Sequence, residues 1–157
     1  MAIQKPLVII AGQVQQIPSG DTLSAAASEV DVVSLTAAVA LVALAPVYVS
    51  AANTCDKASA SASATARIIG FAQDAIASAA AGFIQTDGIL SGTTGEWDAV
   101  AGTTGGLSAG TPYFLSSTAG LITATAPVAS GSYVVKVGTA ISTTELEISI
   151  SDSTLLA

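Results

Sequence analysis

Histidine does not occur anywhere in the 157 residues, and that absence removes more chemistry than any other feature of the chain. It excludes Ser-His and Cys-His nucleophile arrangements, the commonest general base and the commonest metal ligand together. Cysteine is nearly as scarce. Cys55 alone allows no intrachain disulfide and no thiolate cluster for zinc, and with only Lys57 nearby to stabilise a thiolate it reads as structural rather than reactive. The cations are Lys5, Lys57, Arg67 and Lys136, scattered singly, and the net charge is −7. No face can gather a phosphate-binding patch, so nucleic acid is not an expected partner. Charged residues of either sign make up 10% of the chain while 51% is hydrophobic, much of it alanine. Each buried position then contributes little apolar area, and few charges keep a lone subunit soluble. A homo-oligomer whose neighbours cover its surface meets both conditions.

Membrane signals are also thin. Lys5–Ala11 offers only a short apolar run that passes into the polar turn Gly12–Gln16, without the small-residue cleavage site of a secretory signal. Val32–Val49 is free of charge, but Pro46, Ser34, Thr36 and several alanines favour buried β structure over a span. No membrane partner is expected.

Cofactor motifs are missing in the same way. Gly102-Thr103-Thr104-Gly105-Gly106 lacks the lysine of a phosphate loop, and neither Asp21 nor Asp87 has calcium-loop spacing around it. Neither a cofactor nor a metal is expected. What an enzyme could still use is carboxylate pairs: Glu29 with Asp31, Glu96 with Asp98, and Glu145 with Glu147. On a strand, residues i and i+2 share a face, and Glu96 and Asp98 flank Trp97, which is the nearest approach to a sugar-processing site. Each pair reads more simply as the wet face of a strand. Trp97 reads as core, and no catalytic residues are expected.

What the chain does have is strand chemistry with glycine punctuation. Gly106–Ile150 carries it most clearly, and Thr144–Ile150 alternates polar and apolar without a break. Residues 1–23 read as an N-terminal arm and turn: Pro6 leads into Val8-Ile9-Ile10, Gly12 breaks the strand, and Pro18-Ser19-Gly20-Asp21 closes Val14–Ile17. Such an arm can add a strand to a neighbour's sheet or begin the chain's own. Asp21 is a candidate N-cap for a helical turn at Ser24–Glu29, and strands are favoured from Val30 onward. A second helical stretch is expected at Ala75–Gly82, a strand at Phe83–Leu90, and a short strand at Trp97–Val100.

Pro46–Ser50 echoes Pro112–Ser116, and Arg67–Ala72 echoes Val135–Ala140, with 24 residues from Pro46 to Gly70 and 26 from Pro112 to Gly138. The expectation is a β-rich domain over residues 24–157, with a first unit at about 46–90 and a second at about 106–150. Each is strand, connector, strand. Gly70 and Gly138 fall at bulge or turn positions. The Ala/Ser connector Ala58–Thr65 fits either a flat strand packed on another backbone or a surface loop. The fold class is all-β, a small β-barrel or β-sandwich built from two similar units, with an extended N-terminal arm. Tyr48, Ile69, Trp97, Tyr113, Phe114 and Val137 are the expected core or subunit-interface residues.

The run Gly106-Leu107-Ser108-Ala109-Gly110-Thr111-Pro112-Tyr113-Phe114-Leu115-Ser116, then Gly120–Thr123, Ala126-Pro127 and Val137–Ser142, resembles the closing segment of tailed-bacteriophage virion proteins. Gly12–Leu23 resembles the opening of phage fibre and decoration chains. The resemblance implies a β-rich homotrimer without catalytic residues, made in the host cytoplasm and carried on the capsid surface of the virion. It implies a decoration (cement) protein bound to the major capsid protein or other virion subunits, or else a fibre or adaptor subunit with possible glycan binding. On that reading Ile3, Lys5, Pro6, Val8 and Ile10 of the arm are the expected capsid contacts.

Overall fold

The computed structural model describes residues 7–10 and 13–16 as backbone and residues 31–157 in full. Strands β1 (Leu7–Ile10) and β2 (Gln13–Gln16) form an antiparallel hairpin, with Leu7 opposite Gln16 and Ile10 opposite Gln13. The break expected at Gly12 lies outside the described residues. Ile3, Lys5, Pro6, the Pro18–Asp21 turn and the Ser24–Glu29 segment lie outside the described residues, as do the side chains of Val8 and Ile10.

Five strands follow and close on themselves: β3 (Val32–Ala37), β4 (Pro46–Ala51), β5 (Thr54–Lys57), β6 (Ile68–Ala72) and β7 (Ala81–Gln85). Their order around the barrel is β3-β5-β4-β6-β7, and the closure is a parallel contact that sets Thr36 opposite Thr54 and Ala37 opposite Cys55. All the other pairings are antiparallel. A five-stranded barrel is narrow, and its interior is filled by the branched aliphatics Leu41, Val47, Ile76 and Ile84 with the small Ala37, Cys55 and Ala72 between them. Ala37 and Ala72 are the alanines that this bore accommodates. Val32–Val49, free of charge, supplies β3 and β4.

The rest of the chain is β8 (Ile89–Ser91), helix α1 (Thr94–Ala101), β9 (Pro112–Leu115), β10 (Ile122–Thr123), β11 (Tyr133–Val134), β12 (Lys136–Ala140), β13 (Glu145–Ile148) and β14 (Thr154–Leu155). Five of these strands form a sheet in the order β10-β9-β12-β13-β8, and β11 pairs separately with β14. The order repeats the barrel strand for strand, as β5-β4-β6-β7-β3. Registers repeat too. Val47 faces Gly70 and Tyr48 faces Ile68 across a bulge, just as Tyr113 faces Gly138 and Phe114 faces Lys136 across another. Between Val32 and Ile148 the described residues are therefore built on one five-stranded unit used twice, the first copy closed and the second open.

The sheets divide the strands between 85 and 89, so Phe83–Leu90 is not one strand. It is the end of the barrel and the start of the second sheet, joined by a turn at Gly88 with φ 81°. No helix forms over Ala75–Gly82. Ile76 bridges to Leu41, Ala79 takes a left-handed φ of 62°, and β7 begins at Ala81. Trp97–Val100 is helical rather than extended, because Thr93 and Glu96 cap α1 reciprocally and Gly102 ends it at φ 64°. Ala58–Thr65 is neither a strand nor a free loop but a tight turn. Thr65 Oγ1 donates to Ser59 O at 2.8 Å and Ala66 N donates to Ala62 O at 2.9 Å.

The larger core joins the copies. Leu44, Ala58, Ala60, Ala66, Ile68 and Phe71 of the first unit share one cluster with Leu90, Trp97, Tyr113, Leu115, Val135, Val137 and Leu146 of the second. The outer flank of the barrel thus fills the open sheet. Burying each of the larger side chains is worth about 1.5–3 kcal/mol.

Candidate functional site

The carboxylate pair beside Trp97 is the first place to look for chemistry, and both acids are engaged in building the backbone. Glu96 Oε2 accepts from Thr93 N and from Thr93 Oγ1, each at 2.8 Å, which closes the capping box. Asp98 accepts from Gly106 N at 2.8 Å and from Gly105 N and Thr103 Oγ1 at 2.9 Å each, pinning the Gly102–Gly106 loop to the helix. These bonds favour the charged form, and both carboxyls are held below the usual range: Glu96 by the Thr93 backbone N–H and then its hydroxyl, Asp98 by Gly106, Gly105 and then Thr103. A general acid needs the opposite shift. On α1 the two acids are also two residues apart on a helix, so they do not share a face.

Trp97 is fully buried, and its Nε1 donates to Thr144 O at 2.9 Å, which satisfies the ring's single polar group. No face of the indole is left for a sugar to stack on. Tyr113 and Val137 are buried in the same cluster, and the Tyr113 hydroxyl accepts from Ser108 N at 3.1 Å. Tyr48 is half-buried against this cluster, Ile69 is half-buried against the barrel interior, and Phe114 is half-buried on β9. Cys55 lies inside the barrel with no exposure, and burial pushes its thiol up, away from a reactive thiolate. Glu145 and Glu147 alternate with the buried Leu146 and Ile148, the pattern of a strand with one wet face.

Arg67 marks a place the sequence did not single out. It stands exposed between two shallow depressions. One, of about 480 Å³, is lined by Tyr48, Val49, Ser50, Ala64, Arg67 and Ile69. The other, of about 260 Å³, is lined by Ala66, Arg67, Ile68, Ile150, Ser151, Asp152 and Ser153. Neither brings two carboxyls together, and what such surfaces offer is contact rather than proton transfer. The signal in the sequence was slight: a solitary arginine at the head of the Arg67–Ala72 echo, where the second copy has Val135.

Large apolar side chains are exposed on both copies. Val32, Val33, Val49 and Phe83 are 39–59% exposed on the barrel, Ile89 is 42% exposed on the second sheet, and Val128 is 88% exposed on the connector after β10. Outer positions that match across the copies differ in chemistry, since Phe83 opposite Ser34 occupies the place held by Glu145 opposite Ser91. Among the described residues no group of three acids or cysteines is arranged to hold a metal ion, and no helix is long and apolar enough to cross a membrane. Neither a family model nor a curated protein matches the sequence.

Proposed function

We propose that this chain is a noncatalytic structural subunit of a virion that decorates and stabilises the head shell of a tailed phage as a homo-oligomer. The observation that carries the reading is the distribution of chemistry over the fold. Glu96 and Asp98 are tied into a helix cap and a loop, while Val49, Phe83 and Val128 stand 48–88% exposed on a chain with 10% charged residues. Surfaces of that kind are made to be covered by other subunits. The resemblance of Gly106–Ser142 to closing segments of virion proteins supplies the class of assembly, and the major capsid protein is the proposed partner. The N-terminal segment, with its β1·β2 hairpin, is the proposed capsid-contacting arm.

Gold-labelled antibody against this chain, applied to purified phage particles released from cells that produce it, tests the reading. Label over the whole head is the expected result. Label confined to the tail would replace decoration with a fibre or adaptor role, and unlabelled virions would end the virion reading. Deleting residues 2–10 should abolish binding to head shells in a co-sedimentation assay while the oligomer persists. Undiminished binding would remove the arm from the interface.

A further inference from the structure

The two copies agree in register and differ in what covers them, and that difference isolates one surface. In the second copy, Leu115 and Val137 have no exposure and Val135 has 1%. They share a cluster with Ala58, Ala60 and Ala66 of the first copy's connector, which lies along that edge. Ala60 N donates to Ser116 O, Tyr133 N donates to Ala60 O and Gly120 N donates to Ala58 O, each at 2.8 Å. Matching the registers puts Val49, Ser50, Arg67 and Ile69 where the second copy has Leu115, Ser116, Val135 and Val137. Among the described residues no connector lies along this first edge. Val49 is 48% exposed, Arg67 is open, and together with Tyr48 they line the depression of about 480 Å³.

The second copy has a connector of its own, residues 124–132 between β10 and β11, and it leaves Val128 88% exposed. The end of this connector is tied down, since Gly131 N donates to Leu156 O and Leu156 N donates to Ser132 O, each at 2.9 Å. Val128–Ser130 stay exposed, so one receiving edge and the outer part of one connector are left over after the chain has made its internal contacts.

We propose that residues 124–132 of one chain seat on the Tyr48–Ser50 and Arg67–Ile69 edge of a second copy, as residues 58–66 seat on Phe114–Ser116 and Val135–Val137 within the chain. The surface and its complement differ, so the contact closes either as a reciprocal exchange between two chains or as a ring in which it repeats from chain to chain. The inference rests on the self-assembling part of the proposed function and is independent of the virion part.

Light scattering on the full-length chain after size exclusion tests it. The wild type should run as a closed oligomer. Val49→Asp and Val128→Asp should each reduce the mass to that of one chain, with unchanged far-ultraviolet circular dichroism, because both side chains are exposed and outside the core. Val49→Lys combined with Val128→Asp in one chain sets a cation against an anion at every contact and should restore the oligomer. A wild type that is monomeric, an aspartate variant of undiminished mass, or a double variant that stays monomeric would overturn the proposal. Head shells take no part in this experiment. An oligomer that forms as described and fails to bind shells would therefore count against the virion reading alone.

Discussion

Gly70 and Gly138 hold the same post in the two copies, and the physical reason for glycine is the same in both. A Cβ on Gly70 would overlap the Gln85 carbonyl oxygen, and one on Gly138 would overlap the Glu147 carbonyl oxygen, because a neighbouring strand crosses there without room for a side chain. Gly70→Ala and Gly138→Ala should each cost about 1–3 kcal/mol in urea unfolding, since a methyl group forces the crossing backbones apart. A loss under a few tenths would show that the strands yield. These glycines were legible in the sequence because the echo marks them twice. Leu44 was not. It takes φ 62° where Gly110, its counterpart, takes φ 78°, and a leucine in that region costs about 1–2 kcal/mol. Its side chain is 1% exposed and fills the space over Gly92, where a Cβ would collide with it. Burial offsets the strain, and only the fold shows that.

Helix α1 teaches the same lesson at the level of an element. Glu96-Trp97-Asp98 alternates like a strand, yet Thr93 and Glu96 already carried the spacing of a capping box, and Trp97 and Val100 are three apart, as one helix face requires. A local alternation of three residues lost to a cap and a buried stripe. Thr93→Ala should lower stability by about 1 kcal/mol, measured by chemical denaturation, because it leaves the Glu96 N–H without its acceptor. Acid should act on the same element. Glu96 and Asp98 have folded pKa values below their unfolded ones, so their contribution is complete above the unfolded carboxylate range and is lost as pH falls through the lowered folded values. The midpoint of thermal unfolding should fall as pH is lowered from roughly 4 to 2. A Glu96→Gln/Asp98→Asn chain should start lower at neutral pH and show a shallower fall. Parallel curves for the two proteins would assign the acid sensitivity to other carboxylates.

For the whole molecule, the duplication was readable because Pro46–Ser50 and Pro112–Ser116 line up, as do Arg67–Ala72 and Val135–Ala140. The structure sets each pair side by side as adjacent strands, β4 with β6 and β9 with β12. What could not be read was that one copy closes and the other does not. Closure hangs on two parallel partners, Thr36 with Thr54 and Ala37 with Cys55, and no turn signal announces a parallel contact. Nor could the sequence show that Ala58–Thr65 packs against the other unit, since alternating Ala and Ser suit a loop as well as a seam. Because the larger cluster draws side chains from both copies, the described domain should unfold in one step. Calorimetric and van't Hoff enthalpies should agree, and two resolved transitions would separate the copies energetically.

The barrel's interior cluster lies wholly between Ala37 and Ile84, and all its strand pairings end at Gln85. During synthesis, then, the first copy has every partner it needs for closure before the second has left the ribosome. Its outer flank, with Leu44, Ile68 and Phe71, has to wait for the second copy to cover it. The nascent chain passes through a stage with a closed barrel and one bare apolar side. That stage is when the growing chain is most open to a chaperone or to the wrong neighbour.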